Sequence, residues 1–526
     1  MSRWLPCCAV LLTHAVAFAT GVSAQRVTAI APTEQQPVDA GVDVVGEARL
    51  RLDTLHNLDL DRGLTPSGRA FYPVPLSDTD AQNLQRADFR LRTDLNAHTA
   101  GGTMGVQLRL DVLDNMPLGG DADFDGVVVS QRPPRQRALV VQRAFAYALS
   151  PVGVVAAGRM GNRWGLGILA NSGDCRGCDG ATSTDRISFA TPLVGHMWAV
   201  SYDFSASGPF APSRDGRSLV DLDPETNMRA VVFAVDKTHT PLMLMKRRAG
   251  DRLSLEYGGY YTHGWQSDDV GVQRLPTAEP VEASAALVQE RGLSADSFSL
   301  WARLTTRSLR AELEAVLVTG TIEQPSLIPG LVIEEAVEIT TYGAALEVDY
   351  GAAEDRHLIG LKAGVASDDD APGFGAFPRP GDALPQDGDL DGAQADLVDD
   401  FTVENFRFHP DYQIDRIFFR EILGTVTGAA YARLEGSYDL VRNGNFRIVA
   451  SLGVVGSMAL SDATSPGDGG LLGVELDPTL AYLHSDGFEL ALEQATFVPL
   501  AGLDNTERGW VAQPAQLWRL RARFAF

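Results

Sequence analysis

Most of the last nine residues of the chain alternate between apolar and basic side chains. From Trp518 to Phe526 every even position is apolar, and the odd positions Arg519, Arg521 and Arg523 are basic. Side chains two residues apart share one face of a β-strand, so this strand has an apolar face and a basic face. The pattern is typical of a barrel wall with lipid outside and water inside. An amphipathic edge strand of a soluble sandwich is the alternative.

The first 24 residues read as a secretory signal peptide. Arg3 provides a positive start, Val10–Ala19 is an apolar run, and Ala24 precedes a plausible cleavage site. No other segment approaches the roughly 20 apolar residues that a membrane helix needs. A closed barrel is therefore the remaining way to cross a membrane. We predict a signal peptide at 1–24, a short periplasmic segment at 25–41 and a single outer-membrane barrel at 42–526.

The composition restricts the partners of the protein. The formal net charge is -24, and Lys237, Lys246 and Lys362 are the only lysines. This acidity argues against a nucleic-acid partner. Hydrophobic residues make up 45% of the chain, so the charge does not predict disorder.

Runs that alternate between apolar and polar residues recur along the whole chain and predict strands. Clear examples are Glu47–Asp53, Phe89–Asn96, Val106–Val112, Leu309–Ala315, Ala344–Tyr350, Tyr431–Leu440 and Phe488–Glu493. The predicted fold class is all-β, a single antiparallel transmembrane barrel of about 18 strands (16–20), an even number being expected. Weak strands near 185–205 and 414–440 leave the count uncertain by about two.

Short and long connections alternate between these strands. Short turns are predicted at 100–102, 150–153, 192–195, 305–307, 351–356, 442–445 and 485–487, with a longer turn near 238–251. Long polar loops are predicted at 56–84, 117–136, 165–184, 206–227, 266–295, 322–336, 368–427, 461–471 and 500–515. Outer-membrane barrels have short periplasmic turns and long external loops. The alternation therefore favours such a barrel over a soluble sandwich, with both termini in the periplasm.

Charged residues in the alternating runs are expected to face the lumen, where they would steer charged or sugar-like solutes. Structural ion pairs of an ordinary wet interior are the alternative. The predicted lumen-facing residues are Arg90, Arg92, Asp94, Arg109, Asp111, Arg310, Glu312, Glu314, Glu347, Asp349, Arg433, Glu435, Arg519, Arg521 and Arg523.

Two loops contain three aspartates at alternate positions followed by glycine. They are Asp121, Asp123 and Asp125 in the first loop, and Asp387, Asp389 and Asp391 in the second. This resembles the first half of an EF-hand-type calcium loop. The acid expected at the twelfth position is absent, because Arg132 and Val398 stand there, although Asp396, Asp399 or Asp400 could substitute in the second loop. Calcium is the candidate cofactor, and ordinary solvated acidic turns are the alternative.

Two further loop features are open to more than one interpretation. Cys175 and Cys178 are predicted to form a local disulfide in an oxidising compartment, with metal binding or thiol exchange as alternatives. The apolar segment 401–430 either folds into the lumen and narrows it, or marks an early start of the next strand. Ile414, Ile417, Phe418 and Ile422 have the spacing of a short amphipathic helix.

The sequence contains no catalytic signature. His-Glu-x-x-His, Gly-x-Ser-x-Gly and a phosphate-cradling glycine loop are all absent. The protein is therefore not expected to be an enzyme.

Three blocks of sequence carry a resemblance to a known family. They are Phe89–Gly119, Gly158–Asp185 and Asn405–Gly428. These blocks are similar to an uncharacterised family of predicted outer-membrane proteins from myxobacteria and relatives. The resemblance implies a barrel in the outer membrane of a Gram-negative cell, and it supplies no substrate or catalytic residue. At the level of the fold alone, the pattern also resembles 18-stranded sugar and polysaccharide porins.

The terminal strand ending at Phe526 also resembles the recognition signal of outer-membrane barrels, which implies the barrel assembly machinery as a partner. The other expected partners are outer-membrane lipid and small polar solutes. We predict an outer-membrane porin-like channel for small polar or anionic solutes. The alternative is a non-conducting barrel whose acidic loops bind calcium, surface polysaccharide or another cell.

Overall fold

The computed structural model describes residues 39–68, 71–72, 82–118, 137–175, 177–205, 228–270, 288–326, 332–352, 354–374, 386–390, 400–461, 465–467 and 469–526. The predicted signal peptide and most of the predicted N-terminal segment lie outside these residues.

The described residues form nineteen strands, almost all of them antiparallel to their neighbours. They are β1 (Gly41–His56), β2 (Asn83–His98), β3 (Met104–Pro117), β4 (Arg137–Ser150), β5 (Gly153–Gly161), β6 (Ser183–Leu193), β7 (His196–Ser205), β8 (Met228–Lys237), β9 (Ser254–Val270), β10 (Val288–Thr305), β11 (Leu309–Ile322), β12 (Val337–Tyr350), β13 (His357–Ala366), β14 (Thr402–Val403), β15 (Ala429–Arg442), β16 (Phe446–Ala459), β17 (Leu471–His484), β18 (Phe488–Pro499) and β19 (Ala515–Ala525). Strand β14 has only two residues and pairs in parallel with β12, so eighteen strands build the wall.

The sheet closes on itself. Each long strand pairs with the next in sequence, β13 pairs with β15, and β1 pairs with β19. At the closing seam Asp53 lies opposite Arg519. Beyond the end of β19, the Phe526 N–H donates to the Gly46 carbonyl at 3.0 Å, and the Gly46 N–H donates to the Phe526 carbonyl at 2.8 Å. The predicted fold class, a single antiparallel barrel of about 18 strands, is confirmed.

The two ends of the barrel differ in the length of their connections. One end, called here the short-turn end, carries tight turns such as 194–195, 306–308 and 443–445, together with both ends of the barrel chain. Its longest connection contains the helix α1 (Pro241–Ala249). The opposite, long-loop end carries the long connections. Among the described residues, no helix combines the length and the apolar character needed to cross a lipid bilayer.

The apolar face of each strand lies on the outside of the wall. On β19, Trp518 is 49%, Leu520 40% and Phe524 47% exposed, whereas Arg519 between them is 3% exposed. Exposed apolar side chains recur around the wall at Val155, Phe298, Leu300 and many other positions. The barrel therefore presents a largely apolar exterior and encloses many of the charged side chains of its strands.

Two regions differ from the sequence-based expectation. Strands β9 and β10 run to Val270 and from Val288, so part of the predicted loop 266–295 is strand. Strand β15 begins at Ala429, so the apolar residues before it are not an early start of that strand. They contain one π-helical turn at Phe418–Ile422, whose residues are all buried, in place of an amphipathic helix with a solvent-exposed side.

Candidate functional site

Two connections fold inward and meet inside the barrel. We call residues 162–182, between β5 and β6, the disulfide loop, and residues 404–428, which precede β15, the strap. The strap buries Phe408, Ile417, Phe418 and Leu423 at 1% exposure or less. An apolar segment of this size avoids water by packing against other protein. Of the two alternatives for the apolar segment 401–430, the structure therefore agrees with the one in which the segment folds into the interior of the barrel.

Arginines of the wall hold the disulfide loop. The Asp179 carboxylate pairs with Arg49 at 3.0 Å and with Arg51 at 2.8 Å. The Cys178 carbonyl accepts from Arg90 Nη1 at 2.8 Å. Charged hydrogen bonds away from water are among the stronger contacts in proteins, so they fix the loop tip against the wall formed by β1 and β2.

The disulfide loop is also covalently closed at its tip. Cys175 and Cys178 are joined by a disulfide, with their Cα atoms 5.2 Å apart. The neighbouring carboxylate of Asp174 pairs with Arg143 at 2.7 Å and with Arg109.

Replacing both Cys175 and Cys178 with serine is expected to lower the free energy of unfolding by about 2 kcal/mol, the value that loop-closure entropy gives for so short a ring. Urea titration of the refolded barrel, with and without reductant, measures this. Reductant should destabilise the parent protein and leave the serine variant unchanged. Equal stability of the two proteins under oxidising conditions would show that the disulfide does not stabilise the loop.

The strap is anchored to the wall at β17 and at β2. The Glu475 carboxylate accepts from the backbone N–H groups of Arg416 at 2.7 Å, Ile417 at 3.0 Å and Phe418 at 3.3 Å. Glu421 forms a two-pronged pair with Arg86, at 3.0 and 2.7 Å. These contacts satisfy donors at the start of the π-helical turn that would otherwise be buried without partners.

The two inward segments also bind each other. Arg420 of the strap pairs with Asp179 of the disulfide loop at 2.8 Å. The Asp411 carboxylate accepts from the N–H groups of Asp179 and Gly180 at 2.8 and 3.0 Å, and Gln413 donates to the Gly177 carbonyl at 2.8 Å. The strap and the disulfide loop therefore form one continuous constriction across the interior.

A cavity of about 240 Å³ lies between this constriction and the wall. Eight cationic side chains line it: Arg49, Arg51, Lys362, Arg416, Arg420, Arg433, Arg519 and Arg521. Four carboxylates line it: Asp415, Glu435, Asp477 and Glu493. Several partners of the cations, including Asp53, Asp88 and Glu347, are not among the lining residues. The surface that a solute would meet is therefore more basic than the wall as a whole.

The charged residues that were predicted to face the lumen lie mostly in ion pairs. Arg90 pairs with Glu47, Arg92 with Asp111, Arg109 with Asp94, Arg310 with Glu312, Glu347 and Asp349, Arg433 with Glu435 and Asp477, Arg519 with Asp53, Arg521 with Glu489 and Glu493, and Arg523 with Glu47. Glu314 instead accepts from the backbone N–H of Gly167 in the disulfide loop at 2.9 Å. Pairing of this kind weakens any field across the lumen, because each charge has a neighbour of opposite sign.

The sequence analysis missed several residues of the constriction. Arg49 and Arg51 lie in the alternating run Glu47–Asp53, so their period of two was a usable signal. Arg416 and Arg420 lie in a non-alternating connection, where no sequence pattern indicates which side chains point inward.

The aspartates predicted to bind calcium are only partly described. Asp389 is buried; its Oδ1 accepts from the Ser67 hydroxyl at 3.0 Å and its Oδ2 from the Gln386 N–H at 2.8 Å. Asp387 is exposed. The other four, Asp121, Asp123, Asp125 and Asp391, lie outside the described residues. Calcium binding by these loops stays a prediction.

A different acidic group lies at the long-loop end. Carboxylate oxygens of Asp369, Asp370 and Asp400 lie within 4.8 Å of one another. Burial raises the pKa of Asp369 to about 6, and the neighbouring Asp400 charge adds to the effect. Oxygen ligands of this type suit a hard divalent cation. Asp369 also accepts from the N–H groups of Ala371 and Glu404, so its carboxylate already shapes the loop.

Comparison with known proteins reveals similarity in fold type alone. No protein family and no curated protein matches the sequence. OccK9 (OpdG) of Pseudomonas aeruginosa is 13% identical, with a TM-score of 0.46 over 92% of this chain and 98% of that chain. OpdK, an outer membrane protein of the same organism, is 10% identical, with a TM-score of 0.43 over 92% and 98%. OmpT, an outer membrane protein of Vibrio cholerae, is 10% identical, with a TM-score of 0.33 over 93% and 98%. Similarity at this level carries no information about solute or mechanism.

Proposed function

We propose that the protein is an outer-membrane channel that conducts small anionic solutes through the constriction formed by the strap and the disulfide loop. The observation that carries this proposal is the lining of the central cavity, with eight cations against four carboxylates. A channel wall lined by an excess of one charge concentrates ions of the opposite sign. The apolar exterior and the closed wall support a location in a lipid bilayer.

The acidic surface of the protein does not conflict with this proposal. The net charge of -24 is summed over the whole chain, whereas selectivity depends on the charges nearest the narrowest point. Exposed charges that lie farther away than one Debye length, about 8 Å in physiological salt, are largely screened. Carboxylates in distant loops therefore have little influence there. The side chains that line the cavity are therefore the ones that set selectivity.

Replacing Lys362 with glutamine is expected to make the channel less selective for anions. Lys362 lines the cavity and pairs with Glu347 at 3.2 Å, and Glu347 keeps a second partner in Arg310 at 3.4 Å. The variant therefore removes a cation without leaving a buried carboxylate alone. The reversal potential in a salt gradient across a planar bilayer should shift toward that of an unselective pore.

The matched control is Arg159→Gln, because Arg159 is an exposed cation on the outer face of β5 and does not line the cavity. Its reversal potential should equal that of the parent protein. Cation selectivity in the parent channel would contradict the proposal, and so would the absence of any conductance in a correctly folded barrel.

A further inference from the structure

The helix α1 is unusual among the connections of the short-turn end. Thr240 caps its first turn by accepting from the Met243 N–H at 3.2 Å, and Pro241 follows at the first helical position. None of its residues is buried. A helix with no fully buried residue needs another reason for its exposed apolar residues.

Those apolar residues are strongly exposed. Met245 is 62%, Leu242 57% and Met243 49% exposed, and Leu253 just after the helix is 53% exposed. Leu242 and Met245 are three residues apart, so they share one side of the helix. The two methionines are unbranched and flexible, and such side chains suit a soft, irregular apolar environment.

The same segment is basic, although the protein as a whole is acidic. Residues 237–252 contain Lys237, Lys246, Arg247, Arg248 and Arg252 against one acid, Asp251, although the whole chain has 68 acidic and 44 basic residues. Two of the three lysines of the chain lie here.

The cations of this segment fall into two groups. Arg247 donates to the Ser254 hydroxyl at 2.8 Å and Arg248 to the Arg307 carbonyl at 3.2 Å, so both hold the helix to the rim. Lys246 and Arg252 are exposed. Lys237, at the end of β8, is exposed as well, so these three side chains are available to a partner.

The helix adjoins the apolar exterior of the barrel. Leu255 and Tyr257, at the start of the following strand, are 50% and 39% exposed on the outer face, and Leu193 and Trp198 of the adjacent hairpin are 56% and 46% exposed. The helix α1 thus connects two strands, β8 and β9, whose exposed apolar side chains would face lipid in the proposed membrane orientation.

We propose that α1 lies in the inner leaflet of the outer membrane, with Leu242 and Met245 among the acyl chains and Lys246 and Arg252 on the phosphates of anionic phospholipids. A short helix with apolar residues beside lysine and arginine is the usual form of an interfacial membrane contact. Each cation near an anionic leaflet contributes to this attraction. The proposal needs the barrel to sit in a bilayer and does not depend on conduction.

The first test places an environment-sensitive bimane label at Met245→Cys in the refolded full-length protein in phosphatidylcholine nanodiscs. The control carries the same label at Asn445→Cys, an exposed residue of another turn at the same end. We expect blue-shifted emission at 245 and water-like emission at 445. Water-like emission at both positions would overturn the proposal.

The second test measures the enrichment of phosphatidylglycerol around the protein by native mass spectrometry of mixed-lipid nanodiscs. Lys246→Gln and Arg252→Gln should each reduce the enrichment about fivefold at low salt. Arg307→Gln is the control, because Arg307 is an exposed rim cation whose charge is already paired with Glu354. Unchanged enrichment in both helix variants would overturn the proposal. In the first test, a blue shift of the bimane label at position 245 that occurs only when a soluble anionic glycan is added would also overturn the proposal. Heat-dependent gel mobility confirms that each variant is folded.

Discussion

Replacing Asp53 with alanine is expected to lower the free energy of unfolding by about 3–5 kcal/mol, the usual cost of removing one member of a buried ion pair. The Asp53 side chain is fully buried at the seam where β1 meets β19. It accepts from Arg519 at 2.7 and 2.9 Å and from Arg86 at 2.8 Å. The substitution would leave the buried Arg519 guanidinium with a weaker set of partners.

The measurement is urea unfolding of the refolded barrel, followed by tryptophan fluorescence and by heat-dependent gel mobility. Glu354→Ala is the matched control, because it removes a carboxylate from Arg307 at an exposed pair. An exposed ion pair is screened by water and salt and contributes little to stability, so the control should change little. Equal losses in the two variants would show that the seam charges do not stabilise closure.

Replacing Glu475 with alanine is expected to release the strap and to give openings of severalfold higher conductance. Three backbone N–H groups at residues 416–418 would lose their acceptor, and leaving a buried donor without a partner costs about 1–3 kcal/mol. The lost contacts lie at the narrow part of the interior, so movement of the strap widens the path. Single-channel recording in planar bilayers measures this.

Two further variants separate release of the strap from loss of charge. Glu475→Gln keeps one carbonyl oxygen as an acceptor, so we expect its conductance to lie between those of the parent and the alanine variant. Glu489→Ala removes a buried wall carboxylate that pairs with Arg521 of β19 at 3.0 Å. Its conductance should stay close to that of the parent. An identical increase in all three variants would contradict a gating role for the strap.

Much of the wall could be predicted because strand periodicity is a local property. The alternation from Trp518 to Phe526 depends on nine neighbouring residues, and the structure places its apolar side chains outside. The turns are equally local, since their chemistry is set by two to four residues.

An inward fold of segment 401–430 was one of the two alternatives from the sequence, but the contacts of the constriction could not be predicted because they join residues that are far apart in sequence. Arg420 reaches Asp179 across 241 positions, and Gln413 reaches Gly177 across 236. No period or motif links such residues. The apolar composition of the strap indicated burial, and the partner surfaces became visible only in three dimensions.

Closure of the barrel by its first and last strands has a consequence for the order of folding. The pair between Arg519 and Asp53 spans 466 residues. Bringing such distant segments together is entropically unfavourable until the intervening chain is ordered. We therefore expect the barrel to form first as a curved open sheet, in which Arg519 and Arg523 of the last strand do not yet contact Asp53 and Glu47 of β1. Arg519, one of the cations that line the cavity, would then also form one of the last contacts that close the barrel.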